Sequence, residues 1–429
     1  MTRGHRRWRM VLAGVGLAVL AAAAGGVQGS LIASAGDPHS FGPTLWVSAA
    51  SGSDSNTCTH DQPCRTIGHA VAIAPAGATI KVEAGTYDEG VTITTKLQVE
   101  GLDHPVVDAA SATQEGCGNG FLVSGPGASG TEIKGFTVED AQCEGILVQG
   151  SPGAPGVDVT DVTIDGNRVI DNDTGLAAAT AGTECASPGP GVPGDCGEGI
   201  HLWTVSDSRV DDNTVESNAG GILLTDEFGP TFDNVVQGNT VLYNLYDCGI
   251  TLAGHGAAVG PGGPTPTLGG VYDNTIKDNV SYDNGGLGEG GGILMAAAGP
   301  GGGVYDNTIA GNDAEGDGLA GIDIHSHFAG QDLNGNVIVD NTLRLDNIAG
   351  DATDFTIADT PPTGILVGSG LPPGVTGPPP PAAITGTVIK GNRISDVVIG
   401  IWTLNAPLSA RVVSQNHFAG DVTTPLDVN

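Results

Sequence analysis

The chain has 429 residues with 48 Asp and Glu against 15 Lys and Arg, a formal charge of -33 at neutral pH. So acidic a surface repels phosphate backbones and anionic bilayers, which argues against nucleic acid and membrane partners. The 71 Gly and 26 Pro argue against long helices and for an all-β, loop-rich chain.

The first 35 residues stand apart. Arg3, Arg6, Arg7 and Arg9 precede an uncharged stretch from Val11 to Ala24, and Ala33-Ser34-Ala35 supplies small residues for cleavage. This is the pattern of a cleavable secretory signal peptide, and it places the mature protein outside the cell. Retention as a membrane anchor is the alternative, against which the apolar stretch is short and rich in Ala and Gly. Cleavage after residue 35 removes four Arg and no acid, moving the charge from -33 to -37 with 11 Lys and Arg left. Residues 36–44 are then a linker to one domain, 45–429, with a cap over 45–100 and coils over 101–429. The mature chain is expected to be a monomer free of the membrane.

The cap is the next recognisable element. It reads Leu45-Trp46-Val47-Ser48, Gly52-Ser53-Asp54, Pro63-Cys64-Arg65-Thr66-Ile67, Ala70-Val71, Gly77-Ala78-Thr79-Ile80 and Gly85-Thr86-Tyr87. This series resembles the N-terminal cap and first coil of secreted right-handed β-helix proteins of the pectin-lyase-like superfamily. The resemblance implies a short capping helix near Thr66 to Ala74 and a Gly-Thr-Tyr turn leading into the first strands.

Beyond the cap, one dipeptide recurs. Gly-Ile occurs with its Ile at 146, 200, 222, 250, 293, 322, 365 and 401, at intervals of 54, 22, 28, 43, 29, 43 and 36 residues. The short intervals are single units, and the longer ones carry inserted loops. A unit this small cannot bury its own apolar face and must stack on its neighbours, which makes the chain a solenoid.

Within each unit apolar residues alternate with period two, as in a strand. Ile222 and Leu224, Ile293 and Met295, Ile322 and Ile324, and Ile365 and Val367 are expected to point inward. A second strand is marked upstream by Asn and a β-branched pair, as in Asn213-Thr214-Val215, Asn239-Thr240-Val241, Asn274-Thr275-Ile276 and Asn307-Thr308-Ile309. The octapeptide Gly-Gly-Val-Tyr-Asp-Asn-Thr-Ile occurs twice, at 269–276 and 302–309. The pattern predicts a right-handed parallel β-helix with three short strands per coil and stacked Asn amides along its axis. These repeats resemble NosD-type and carbohydrate-binding β-helix repeats, so the family resemblance covers nearly all of the mature chain. It implies a fold and leaves the activity open, because one fold carries many chemistries.

Seven cysteines in an exported chain suggest disulfides with one thiol over. Cys58 with Cys64 and Cys185 with Cys196 are close in sequence. Cys117 and Cys143 fall at nearly equivalent places in successive coils, so stacking brings them together. Cys248 remains as a buried structural thiol.

Function is sought where the loops gather. Insertions at 173–198, 254–269, 297–303, 327–336 and 369–383 all border the Gly-Ile strand, so they wall a groove whose floor is that strand's outward face. Outward positions predicted to contact substrate are His201, Trp203, Thr225, Glu227, His255 and Trp402, with Trp203 and Trp402 as sugar-stacking platforms. Asp323, His325 and His327 fall in one outward row. A carboxylate beside an imidazole orients it for proton transfer, which makes this row the candidate catalytic group. Two His and one Asp also suit a divalent metal, and solvated surface is the bland alternative.

The row resembles the Asp-Pro-His-Asp motif of mannuronan epimerases. Asp323 and His325 match its first and third positions, Ile324 and Ser326 depart from it, and the likeness implies that His325 is the base. No Lys or Arg falls on this floor to neutralise a uronate. Calcium is the cofactor considered, on the Asp211-Asp212-Asn213 and Asp171-Asn172-Asp173 clusters, although no loop shows a complete ligand spacing. Acidity kept for solubility accounts for the same residues. Two functions are expected: an enzyme acting on an extracellular polysaccharide by elimination, epimerisation or hydrolysis, or a noncatalytic surface or glycan-binding β-helix.

Overall fold

The computed structural model describes residues 42–428 apart from 114–117, 152–157, 173–196, 256–268, 287–289, 298–301, 328–330, 349–360, 370–383, 405, 407 and 409–412. The predicted signal peptide, most of the five insertions, and Cys117, Cys185 and Cys196 lie outside the described residues.

Every coil gives one strand to each of three long parallel sheets: a 12-stranded first sheet, an 11-stranded second sheet and an 11-stranded sheet built from the Gly-Ile runs. The chain is a right-handed parallel β-helix, as the repeats require. Coils in the middle also carry a two-residue strand ahead of the first sheet, and these form a fourth, five-stranded sheet. The expected three strands per coil are thus four in that region.

The cap closes the first coil. The helix Ile67–Ile73 starts at Thr66, whose side chain accepts from His69 N, while the Glu89 carboxylate accepts from Ile67 N at 2.7 Å and Gly68 N at 2.8 Å. Both acceptors satisfy amides that the first helical turn leaves open. The helix stops at Ala74, where Pro75 bars the helical conformation of the residue before it. Cys58 and Cys64 are joined in a disulfide with Cα atoms 4.6 Å apart. Cys143 is also disulfide-bonded, and Cys248 is a buried free thiol.

Inward residues fill one continuous core. Ile146, Ile200, Ile222, Ile250, Ile293, Ile322, Ile365 and Ile401, all from Gly-Ile dipeptides, are buried in it. Each contributes roughly 1.5–3 kcal/mol relative to an exposed side chain. The preceding Gly is required by a close approach. A Cβ on Gly145, Gly199 or Gly249 would lie 2.9 Å from the side-chain amide of Asn172, Asn218 or Asn284.

Those amides belong to ladders. In the longest, Asn167, Asn213, Asn239, Asn279, Asn312, Asn341, Asn392 and Asn416 stack over eight coils. Each Nδ2 and backbone N donates to the next Oδ1 at 2.9–3.1 Å. A second ladder runs Asn234, Asn274, Asn307, Asn336. The two ladders enter different sheets, so the single Asn-marked strand expected from sequence is two strands: Asn213 and Asn239 precede the second sheet, Asn274 and Asn307 the first.

The octapeptide serves the same stacking. Val271 and Val304 point inward, and Tyr272 and Tyr305 stack outside with centroids 4.9 Å apart, continued by Phe232 at 5.2 Å. Asp273 and Asp306 take the left-handed turn at φ 54° and 55°.

Candidate functional site

Strand register sets two outward rows on the Gly-Ile sheet. One row runs Leu147, His201, Leu223, Thr251, Leu294, Asp323, Leu366, Trp402. The other runs Gln149, Trp203, Thr225, Ala253, Ala296, His325. Solvent reaches little of this floor. His201 is 3 % exposed, Asp323 and His325 are each 1 % exposed, and Trp203 and Trp402 reach only 9 %. Polar side chains at such depth must be held by partners, and they are.

Five of the predicted contact residues come together near the middle of the sheet. His201 Nδ1 lies 3.4 Å from Glu144 Oε1, and its Nε2 lies 2.9 Å from Thr225 Oγ1. Glu144 Oε2 accepts from Glu198 N at 2.8 Å, so one carboxylate ties two coils and orients the imidazole. Trp203 stacks on His201 at 5.6 Å and on Phe228 at 4.3 Å. Just past the strands, Glu227 Oε1 pairs with His255 Nδ1 at 2.9 Å. This pair is the most accessible of the acid–imidazole pairs on this face, with side chains 20 % and 25 % exposed.

Electrostatics separates two neighbouring carboxyls here. Burial alone would raise Glu227, but the facing His255 and His201 and hydrogen bonds from His255 and Thr225 pull it down to about 2. Asp226 is pushed up to about 6 by burial and by the Glu227 charge, against His255 and two backbone amides. Its oxygens accept from His255 N at 2.7 Å and Gly270 N at 2.5 Å, so it ties the backbone of these two residues together.

The predicted catalytic row lies elsewhere. Asp323 Oδ1 is 3.3 Å from His325 Nδ1, and the His325 and His327 rings stack at 4.8 Å. His327 N donates to Gln331 Oε1 at 2.8 Å. Four strand steps separate His201 from Asp323, about 19 Å at the usual strand spacing. Trp402, two coils further, packs with Leu366, Ile399 and Ala320 in a small apolar cluster. The nine predicted residues therefore form two polar centres and an apolar patch.

Glu144, Glu198 and Asp226 were missed in the sequence. A signal for the first two exists: Glu precedes Gly-Ile twice, at Glu144-Gly145-Ile146 and Glu198-Gly199-Ile200. Gly220 in the next coil leaves the room that the Glu198 carboxylate fills.

At the two clusters considered for calcium, the described side chains have other tasks. Asn213 and Asn172 are ladder residues, Asp212 and Asp171 are left-handed turn residues at φ 54° and 55°, and Asp211 pairs with Arg209 at 2.7 Å. Asp173 lies outside the described residues. Among the described residues, the one set of three ligand side chains within mutual reach is Cys58, Cys64 and His69. Its sulfurs are already joined to each other.

The family model for a right-handed β-helix region matches residues 119–343, just over half of the chain. The chain belongs to the right-handed β-helix family. No curated protein sequence matches it. Among solved structures, it is similar to pectate lyase Pel9A at 17 % identity, TM-score 0.46, covering 74 % of this chain and 84 % of that one. An alginate lyase from Paenibacillus sp. str. FPU-7 shares 14 % identity at TM-score 0.46, with 82 % and 97 % covered. The A-module of the Azotobacter vinelandii mannuronan C-5 epimerase AlgE4 shares 15 % identity at TM-score 0.47, with 89 % and 98 % covered. Likeness at this level is likeness of fold. No helix among the described residues is long and apolar enough to cross a membrane.

Proposed function

We propose that this protein is an exported enzyme that binds a polysaccharide along the Gly-Ile sheet and transforms it by proton transfer. One observation carries the reading: imidazoles on one sheet face are each held by a carboxylate, His201 by Glu144, His255 by Glu227 and His325 by Asp323. A carboxylate-oriented imidazole is a general acid or base, and a row of coils presents it to a linear polymer. His255 with Glu227 is the pair that substrate reaches most readily, with His201 behind it. Asp323, His325 and His327 form a second proton-transfer centre further along the same face. Export rests on the signal-peptide pattern of residues 1–35, and the Cys58–Cys64 disulfide suits an oxidising compartment.

A noncatalytic glycan-binding role is the second reading, favoured by how little of the floor solvent reaches. Incubating the mature protein with a panel of polysaccharides separates the two. Following ultraviolet absorbance of unsaturated ends together with new reducing ends distinguishes elimination from hydrolysis. Turnover of any member supports the enzyme; binding without turnover supports the second reading.

A further inference from the structure

We infer that the glycan accepted at the Glu144–His201–Glu227–His255 centre is uncharged and hydroxyl-rich, not a polyuronate. This deepens the polysaccharide reading and rests on it.

Open hydrogen-bonding positions come first. Trp203 Nε1 and Glu227 Oε2 are both buried with no hydrogen-bond partner. Their residues are adjoining: Trp203 is in register with Thr225, two residues before Glu227, and stacks on Phe228, the residue after Glu227. An indole N–H only donates, and an ionised carboxylate only accepts. Glu227 is ionised at any working pH, because the facing imidazoles hold it at about 2. Sugar hydroxyls suit both kinds of position, since a hydroxyl can accept from an indole and can donate to a carboxylate. A uronate carboxylate has no proton to give Glu227 and would meet it charge against charge.

Charge on the rest of the face agrees. None of the eleven strands of this sheet contains Lys or Arg. Among the described residues, Lys81, Lys134, Arg168, Arg209, Lys277 and Arg344 all sit on strands of the first or second sheet. Glu144, Glu198, Asp226 and Glu227 instead gather around His201 and His255. A uronate entering here is stripped of water beside four carboxyl groups and with no Lys or Arg on the strands of the sheet, whereas a neutral sugar carries no such penalty.

The test is a binding comparison by affinity electrophoresis of the mature protein. The ligands are neutral glucans, mannans and xylans, two polyuronates, the same polyuronates with carboxyls reduced to alcohols, and a deacetylated aminoglycan. Calcium or a chelator is present in parallel runs. The expected result is a neutral glycan bound at least about tenfold more tightly than any polyuronate, a difference of roughly 1.4 kcal/mol. Carboxyl reduction should restore binding of the same backbone, and calcium should change nothing. Glu227→Gln should narrow the preference by admitting the polyuronate. A polyuronate that binds as tightly as its reduced form, binding of polyuronate restored by calcium, or preference for the aminoglycan overturns the inference and leaves the polysaccharide reading standing. Binding of no glycan overturns both.

Discussion

Glu227 shows how a single carboxylate couples site and stability. Its carboxyl sits at about 2 when folded against an ordinary 4.5, because the His255 and His201 imidazoles and hydrogen bonds from His255 and Thr225 outweigh its burial. A depressed carboxyl stabilises the fold above its unfolded value, and that gain is lost as pH falls through the folded value. Wild type should therefore exceed Glu227→Gln in Tm above pH 4.5, with the gap closing as pH falls toward 2. Melting curves over that range check it; a gap that persists at the acid end contradicts the pairing. His325 asks for a different reading. Although it lies on the outward face, it is 1 % exposed and stacked on His327. His325→Ala should thus cost roughly 1–3 kcal/mol of stability as well as any activity, measurable by denaturant titration. Unchanged stability would show that the ring is not part of the packing.

The third Asn ladder illustrates what an element-scale rule predicts and where it breaks. Asn172, Asn218, Asn244 and Asn284 stack as amides, but the next two steps are Asp317 and Asp346, both buried. Asp317 Oδ1 accepts from Asn284 N and Nδ2 at 2.9 and 3.2 Å, while Asp317 Oδ2 takes the place of an amide nitrogen near Gly292. Burial pushes Asp317 up to about 7 in spite of these bonds, with Asp283 adding to the rise; burial and then Asp317 push Asp346 well above the usual range. A raised carboxyl stabilises fully below its unfolded value of 3.8, and the gain is lost as pH rises through 7. Wild-type Tm should fall between about pH 4 and pH 7, and Asp317→Asn should flatten that fall by restoring a permanent donor. Parallel slopes for the two proteins would refute the protonated-ladder account. The fold itself was legible, because Gly-Ile and Asn recur at positions whose stacking demands them. Two things were not. Asn occurs in all three ladders, so sequence alone merged strands of two sheets. The two-residue strands, such as Val271–Tyr272, are too short to show alternation.

At the scale of the whole molecule, period two correctly placed His201, Trp203, Thr225, Asp323, His325 and Trp402 on one face of one sheet. What it missed was depth and grouping. Depth follows from what covers a strand, which alternation does not encode. Grouping follows from which coils are adjacent: His201 meets Glu144 across 57 residues of sequence and Thr225 across 24. Asp323 is four strands away from His201, so residues equally outward in sequence fall into separate centres. The first proton-transfer step is therefore proposed at the more accessible centre of a long sheet whose strands carry no Lys or Arg. The most direct test is steady-state turnover of His255→Ala on whichever polysaccharide the wild type transforms, beside His417→Ala, an exposed imidazole on the second sheet. The account predicts a folded His255→Ala protein with kcat reduced by about 10²- to 10⁴-fold and a His417→Ala protein at wild-type rate. A folded His255→Ala protein that keeps full turnover would contradict it.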